Sequence, residues 1–428
     1  MLPLDTASLV QLQLPSYNSI FPPPTYSSDP VCGEQSIQLT RRTRPRPAGT
    51  FAQRFGSITV LLTDQEEGVS IPVYGRQSAV KGIINLDLPE AAREVKVKLH
   101  GHMDLVISGG TSQNTILADY VYTVWRHNQD TSDQGSATCP SKLPFTCMFP
   151  STFKDSMGRE YPLPPSMQAA YPGSSGLYAN CTYRLTVNIV KRGFFAQVKK
   201  LVIPLHYYPR TRPLMLMNSN TTLDLFSDVK ISPEEWYQTM IVVQSREPTV
   251  TPPVQCSLFI PSIKVFALSD AIHFHVQITG PLFSLRQLVY SKLYKSTGSP
   301  HASAKLAPKI RVYLMRQIVV NLGGQRGWKN ITLGEGIVSP RPPPIVNSSI
   351  PAFDGQPVED SLDWEGKVRC DEDVTCGTPG FITRHLTVQD FLVLSVSPAD
   401  PTKSNLMSTQ VPVAIKLVTN RAEAWRED

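Results

Sequence analysis

Apolar and polar residues alternate with a period of two along most of the chain after about residue 56. In "EVKVKLHGH", Val95, Val97 and Leu99 alternate with charged and histidine side chains. The stretches "SITVLLT", "AVKGIINLDL" and "YRLTVNIV" show the same pattern. Strict alternation of this kind is typical of strands with one buried and one solvated face. The pattern therefore predicts antiparallel sheets.

The strand-like stretches fall into two blocks, residues 48–213 and 236–421. The first block ends after "KKLVIPLHYYP", and the last strand of the second block is "VPVAIKLVT", whose apolar positions are Val411, Val413, Ile415 and Leu417. Since no repeat of about 20 to 50 residues occurs, a propeller or a solenoid is not expected. We predict an all-β fold of two tandem antiparallel β-sandwiches, similar to immunoglobulin sandwiches.

The segments outside the two blocks have different compositions. Residues 1–47 have no periodic apolar pattern and are rich in Pro, Ser, Thr and Arg, which predicts a disordered tail. The connector 214–235 contains "SPEEW", in which Ser232, Pro233 and Glu235 have the spacing of a helix start. This segment is predicted to form a short helix or a turn. Residues 422–428 form the C-terminal end.

Proline content supports the all-β prediction. The chain has 38 prolines in 428 residues, well above the average of about 5%. Proline disrupts helices and central strands. Its abundance therefore argues against a helical bundle and favours short strands that are joined by many turns.

The net charge and the distribution of basic residues indicate which classes of partner can be expected. The formal net charge is +6 at pH 7, and the basic residues do not cluster with aromatic residues, so nucleic-acid binding is not expected. One basic run, "RRTRPRP", contains Arg41, Arg42, Arg44 and Arg46. Anionic lipid head groups attract such residues by about 1 kcal/mol each. The run is therefore either a lipid contact or a solvated linker.

Cysteine usage and hydropathy indicate the compartment. The seven cysteines are scattered without the spacing of a zinc site, which is typical of reduced thiols in a cytosolic protein. The first residues lack the basic and apolar regions of a signal peptide. No apolar stretch reaches the roughly 18 residues that a membrane span requires. We expect a cytoplasmic chain.

Two histidine pairs are the strongest candidates for a metal site. His100 and His102 belong to "HGH", and His273 and His275 belong to "HFH". Two residues that are two positions apart on a strand point to one face, as a metal site requires. Alternation places both pairs on the polar face of their strands, so we expect solvent-facing histidines. A β-sandwich metalloenzyme remains the alternative.

Motifs of the common catalytic classes are missing from the sequence. It contains no G-x-S-x-G, no P-loop and no G-x-G-x-x-G. We therefore expect neither catalysis nor a cofactor. A sandwich that binds a small ligand is a further alternative.

The tail contains two short proline-tyrosine motifs. "PPTY" is a P-P-x-Y sequence, and "LPSY" is the related L-P-x-Y form. Proline-rich segments favour the polyproline II helix, which docks on the aromatic groove of WW domains with little loss of entropy. The expected contacts are Pro23, Pro24 and Tyr26, with Leu14, Pro15 and Tyr17 in a secondary role.

The two β blocks and the tail motif together resemble the arrestin family, and more narrowly the fungal α-arrestins, which are arrestin-related trafficking adaptors. The segment from Tyr74 to Leu105 is similar to the early strands of the N-terminal arrestin domain. "LPFTCMFP" and "KKLVIPLHYYPRTRP" resemble later strands of that domain, and "KIRVYLMRQIVV" is similar to a strand of the C-terminal domain.

The resemblance implies a non-enzymatic adaptor. Proteins of this kind recruit HECT-type ubiquitin ligases, which contain WW domains, to plasma-membrane transporters and receptors. Ubiquitination then leads to endocytosis. A cytoplasmic protein that is recruited to the plasma membrane and to endosomes would be expected. The alternative within the same fold is a signalling or sorting scaffold that needs no ligase.

Overall fold

The computed structural model describes residues 48–108, 110–127, 138–170, 177–192, 198–213, 232–289, 309–341, 360–371 and 378–421. These residues belong to one compact unit. The predicted tail, most of the connector and the C-terminal end lie outside the described residues.

Short and long strands form the first sandwich. They are β1 (Gly49–Phe55), β2 (Ile58–Gln65), β3 (Val73–Tyr74), β4 (Ala79–Leu86), β5 (Ala92–Ile107), β6 (Thr111–Arg126), β7 (Lys142–Met148), β8 (Thr152–Lys154), β9 (Glu160–Pro162), β10 (Met167–Ala170), β11 (Tyr178–Lys191) and β12 (Val198–Tyr207).

These strands form two main sheets. One has the order β1-β2-β4-β7, and the other has the order β3-β12-β11-β5-β6, with β10 paired to β11. A small hairpin of β8 and β9 lies outside both sheets. The pairs are antiparallel except for β3 with β12, which is a parallel pair of two residues on each side.

The apolar faces of the two sheets meet in a common core. Val60 and Ile84 from the first sheet and Leu99, Leu185 and Ile203 from the second are fully buried. Val95 and Val97 are also fully buried, as the alternation predicted. Each buried side chain of this size contributes about 1.5–3 kcal/mol to the stability of the fold.

The second sandwich begins after a short helical turn. Its strands are β13 (Trp236–Val243), β14 (Val254–Pro261), β15 (Val265–Ala267), β16 (Ile272–Gly280), β17 (Lys309–Leu322), β18 (Gln325–Glu335), β19 (Ile337–Arg341), β20 (Asp360–Val368), β21 (Phe381–Ile382), β22 (Leu386–Ser397) and β23 (Thr409–Val418).

The second sandwich repeats the plan of two packed sheets. The sheet orders are β13-β14-β16-β20-β19 and β15-β23-β22-β17-β18, with β21 paired to β22. The pair of β15 with β23 is parallel, and the remaining pairs are antiparallel. Leu258, Phe274, Val312 and Leu392 are fully buried between the sheets. The prediction of an all-β fold with antiparallel sandwiches is confirmed.

Helical structure is limited in the described residues. A 3-10 helix covers Pro233–Glu235, where the sequence predicted a short helix or a turn. The side chain of Ser232 makes no capping hydrogen bond. The backbone carbonyl of Ser232 accepts a hydrogen bond from the backbone N–H of Glu235 instead. A second 3-10 helix covers Pro89–Ala91. The α-helix α1, Leu282–Val289, was not predicted.

The two sandwiches are joined by apolar and polar contacts. Apolar residues of β17 and β22, among them Ile318 and Val388, belong to the core cluster of the first sandwich. The Oγ1 atom of Thr419 donates to the carbonyl of Thr211 at 2.9 Å. The carboxylate of Asp155 lies 3.7 Å from the guanidinium of Arg384. The long strands β17 and β22 therefore contribute to both cores.

Gly101 gives a stability prediction because its strand passes directly over an aromatic ring. A Cβ atom at this position would lie 2.5 Å from the ring of Tyr183. That ring is buried, and its hydroxyl donates to the carbonyl of Pro164 at 2.6 Å. We expect Gly101→Ala to lower the free energy of unfolding in urea by about 1–3 kcal/mol.

A matched control for this substitution is Gly75→Ala. The Cβ atom there would meet its nearest neighbour, Ser78 Oγ, at an ordinary 3.5 Å. Its effect on the free energy of unfolding should stay within about 0.5 kcal/mol. Equal effects of the two substitutions would show that the close approach to Tyr183 does not matter.

Candidate functional site

The predicted partner-binding residues of the tail lie outside the described residues. This holds for the WW-domain contacts Leu14, Pro15, Tyr17, Pro23, Pro24 and Tyr26 and for the basic run Arg41, Arg42, Arg44 and Arg46. Their roles stay predictions. The described part of the chain supplies the two histidine pairs, a buried ion pair between the sandwiches, and a set of exposed surfaces.

The histidine pair of the first sandwich lies on the outer face of β5, as predicted. The side chains of His100 and His102 are partly exposed, and their rings are 5.5 Å apart. The Nδ1 atom of His100 lies 3.2 Å from Asp119, and the Nε2 atom of His102 lies 3.0 Å from Asp104. Each imidazole therefore has a carboxylate neighbour of its own.

Burial also affects the titration of His102. The pKa of His102 is below its ordinary value, because partial burial penalises the imidazolium, and Asp104 offsets this effect only in part. The neighbouring positive charges of Arg184 and His100 lower this pKa further. His102 is therefore mainly neutral at pH 7.

The histidine pair of the second sandwich shows that the prediction of two solvent-facing histidines was wrong for one of them. His273 is partly exposed on the outer face of β16, as expected, but His275 is fully buried on that same face. Alternation predicted the direction of the side chain correctly. It did not predict exposure, because residues of neighbouring strands enclose the ring. Phe259 lies 5.7 Å from it, and Asp363 and Glu365 lie beside it.

A charged network surrounds His275. Its Nε2 atom lies 3.0 Å from Oδ1 of Asp363, and its Nδ1 atom lies 3.7 Å from Glu365, which also pairs with Arg341. Burial alone would raise the pKa of Asp363. Hydrogen bonds from His275 and from the neighbouring Gln277 and Ser361 outweigh this effect and hold that pKa below its ordinary value. The network therefore satisfies a carboxylate that would otherwise be costly to bury.

Metal binding has little support in the described ranges. Within them, no group of three or more His, Cys, Asp or Glu side chains could hold a metal ion. His275, which is fully buried, lies against two carboxylates at the distances of hydrogen bonds and ion pairs. Within the described residues, neither histidine pair is part of such a group.

The described cysteines behave as structural thiols. Cys139, Cys147, Cys181 and Cys256 are free and buried, and Cys370 is partly buried. Burial raises the pKa of the Cys147 and Cys256 thiols to about 12. A thiol with so high a pKa is a poor nucleophile at neutral pH. These two residues are therefore not candidates for nucleophilic catalysis.

A buried ion pair that sequence analysis missed lies between the two sandwiches. Arg316 of β17 and Asp390 of β22 are each at most 4% exposed and form two hydrogen bonds of 2.7 and 3.0 Å. The Nη1 atom of Arg316 also reaches Thr378 Oγ1 at 3.4 Å. The alternation of the two strands could have revealed that these charged residues are buried. Both occupy inward-facing positions of apolar strands, "VYLMRQIVV" and "LTVQDFLVLSV".

The position of this pair is at the meeting point of the two cores. Along β17, Leu314 belongs to the core cluster of the second sandwich and Ile318 to that of the first. Along β22, Leu392 belongs to the core cluster of the second sandwich and Val388 to that of the first. The ion pair therefore fills the boundary between two apolar clusters, where both long strands pass from one core to the other.

An open groove separates the edge strand β6 from the β8–β9 hairpin. One wall is formed by residues 116–120 of β6, and the other by Thr152, Phe153, Lys154 and Glu160. Its lining contains no histidine or cysteine, and it shows no grouping that would indicate a reaction. We assign no chemistry to this groove.

Comparison with known proteins does not add an assignment. No protein-family model matches this chain, and no curated protein matches it either. In the part of the chain that the structure describes, no helix is long and apolar enough to cross a bilayer. The residues of the chain itself are therefore the basis for a functional proposal.

Proposed function

We propose that this chain is a non-enzymatic adaptor that links a HECT-type ubiquitin ligase with WW domains to membrane-protein cargo. The observation that carries the proposal is the "PPTY" motif at Pro23–Tyr26, which precedes a folded unit made of two β-sandwiches. A short linear motif outside a folded unit is well suited to docking on a WW domain, because such a ligand is accessible and costs little entropy to order.

The two sandwiches are proposed to bind the cargo. The outer face of the sheet that contains β5 carries Lys96, Lys98, Arg184 and Lys200 beside His100 and His102. Charged surfaces of this kind supply orientation and specificity in protein–protein recognition. Cytosolic segments of transporters or receptors are the proposed partners. The adaptor would act in the cytoplasm, at the plasma membrane and at endosomes.

A pull-down with an immobilised pair of tandem WW domains tests the proposal. We expect the full chain to be captured and a chain lacking residues 1–47 to be lost in the wash. The truncated chain should keep the same unfolding transition, because the compact unit that contains both sandwiches begins at Pro47. Equal capture of both chains would contradict recruitment through the tail and favour a scaffold that needs no ligase.

A further inference from the structure

The end of the first sandwich that lies away from the second sandwich combines exposed apolar side chains with basic ones. We call this surface the distal end and define it by residues 54–58, 86–93, 190–192 and 198–200. It contains the β1–β2 turn, the connection from β4 to β5, the end of β11 and the start of β12. The opposite end of β5, near Ile107, packs against Gly327 of the second sandwich.

Short hydrogen bonds hold these segments together. The backbone N–H of Asp87 donates to the carbonyl of Ser57 at 3.1 Å, and the Nζ atom of Lys199 donates to Ser57 Oγ at 2.9 Å. The backbone N–H of Arg192 donates to the carbonyl of Ala91 at 2.8 Å. The distal end is therefore one connected surface rather than a set of separate loops.

Three apolar side chains at this surface are exposed to solvent. Phe55 is 59% exposed, Leu88 is 55% exposed and Val198 is 58% exposed. They come from three different segments, so no local turn geometry explains all three. Large apolar side chains that are exposed together often mark a site of interaction with a membrane or another protein.

Basic residues outnumber acidic ones in the segments that carry these apolar side chains. The distal end contains six basic residues and two acidic ones, Asp87 and Glu90, and Asp87 is paired with Arg54 at 2.9 Å. The basic residues are Arg54, Arg93, Lys191, Arg192, Lys199 and Lys200. The excess of positive charge is complementary to an anionic partner.

The small cavity at the distal end leaves no room for a side chain of a partner. The cavity that Leu88, Lys191 and Lys199 line measures about 20 Å³, which is about the room that one water molecule requires. It cannot accept an inserted side chain. Apolar side chains that project from a basic surface can enter the boundary between head groups and acyl chains of a bilayer, while the basic residues contact anionic head groups.

We propose that the distal end of the first sandwich docks on an anionic lipid bilayer, with Phe55, Leu88 and Val198 entering the interface and its lysines and arginines contacting head groups. This site includes no residue of the basic run of the tail and does not depend on ligase recruitment. In this orientation, β5 would begin near the membrane at Ala92 and run away from it towards Ile107.

Sedimentation with vesicles of phosphatidylcholine containing 30% phosphatidylserine tests this proposal on the full chain. We expect Arg93→Gln with Lys200→Gln, a change at two exposed positions, to weaken binding about 30-fold, since each basic residue near the surface contributes about 1 kcal/mol. Phe55→Ser with Leu88→Ser should weaken binding by at least about tenfold. Vesicles of pure phosphatidylcholine should bind weakly, and high salt should reduce binding to the anionic vesicles.

Matched controls come from the second sandwich. Lys367→Gln with Lys416→Gln makes the same charge change at exposed positions, and Met240→Ser removes an apolar side chain that is 62% exposed. Neither should change vesicle binding by more than about twofold. All variants are also measured with Arg41, Arg42, Arg44 and Arg46 replaced by glutamine, so that the tail cannot hide the effect of the distal end.

Two results would overturn the proposal. The first is vesicle binding that is unaffected by both distal-end variants in either background. The second is a loss of binding with the Arg93→Gln and Lys200→Gln variant alone, together with equal loss of binding to soluble polyglutamate. That second result would identify the distal end as a surface for acidic polypeptides rather than for lipid.

Discussion

Replacing Asp390 with alanine is expected to lower the free energy of unfolding by about 3–5 kcal/mol. The substitution would leave the guanidinium of Arg316 buried between the sandwiches without its bidentate carboxylate partner. Breaking a buried network of hydrogen bonds and ion pairs is one of the few causes of so large an effect. Urea denaturation of the purified chain, followed by circular dichroism, measures the change.

A surface ion pair that joins β17 to β18 provides the control. Arg311 and Glu335 form two hydrogen bonds of 2.6 and 3.1 Å, but their side chains are 39% and 53% exposed. Glu335→Ala should therefore cost at most about 1 kcal/mol. Replacing the buried pair together, with Arg316→Met and Asp390→Leu, should recover most of the stability that Asp390→Ala loses. A loss below about 1 kcal/mol for Asp390→Ala would contradict a structural role of this pair.

Replacing Tyr26 with alanine should weaken binding to a single WW domain by about 30-fold or more, since truncation of an aromatic hot spot costs roughly 2 kcal/mol or more. Calorimetric titration of the full chain with one isolated WW domain measures this effect. Tyr17→Ala is the matched substitution in the same tail, and we expect it to change single-domain binding little. If Tyr26→Ala leaves that affinity intact, the ligase-adaptor proposal loses its main support.

The two tail motifs are proposed to act as a bivalent ligand for tandem WW domains. Tyr17 and Tyr26 are nine residues apart, which is about 28 Å in polyproline II at roughly 3.1 Å per residue. Once "PPTY" is bound, the weaker "LPSY" motif meets the second domain at an effective concentration near the mM range. Tyr17→Ala should therefore weaken binding to a pair of linked WW domains. Unchanged binding to the linked pair would show that one motif is used.

Much of the fold could be predicted from periodicity, because each sandwich strand has one apolar and one polar face. The burial of Val95, Val97 and Leu99 follows directly from their spacing. The parallel pairs of β3 with β12 and of β15 with β23 could not be predicted. The first pair comprises two residues on each strand and the second comprises three. Such short strands carry little periodic signal, and the strands they pair with are far away in the sequence.

Burial on the outer faces was harder to predict than the direction of a side chain. His275 points outward as its alternation indicates, yet Phe259, Asp363 and Glu365 of neighbouring strands enclose it. The pairing of β16 with β14 and β20, which creates this enclosure, is not encoded in β16 alone. Arg316 and Asp390 lie 74 positions apart, so their inward charges were visible in the sequence but their pairing was not.

The most direct test of the adaptor proposal is a solution NMR titration of the ¹⁵N-labelled full chain with a single WW domain. We expect that the backbone amides of Thr25 and Tyr26 shift most, that those of Ser16 and Tyr17 shift less, and that residues 48–421 are unaffected. The absence of shifts between residues 14 and 26, or shifts confined to the sandwiches, would contradict the adaptor proposal.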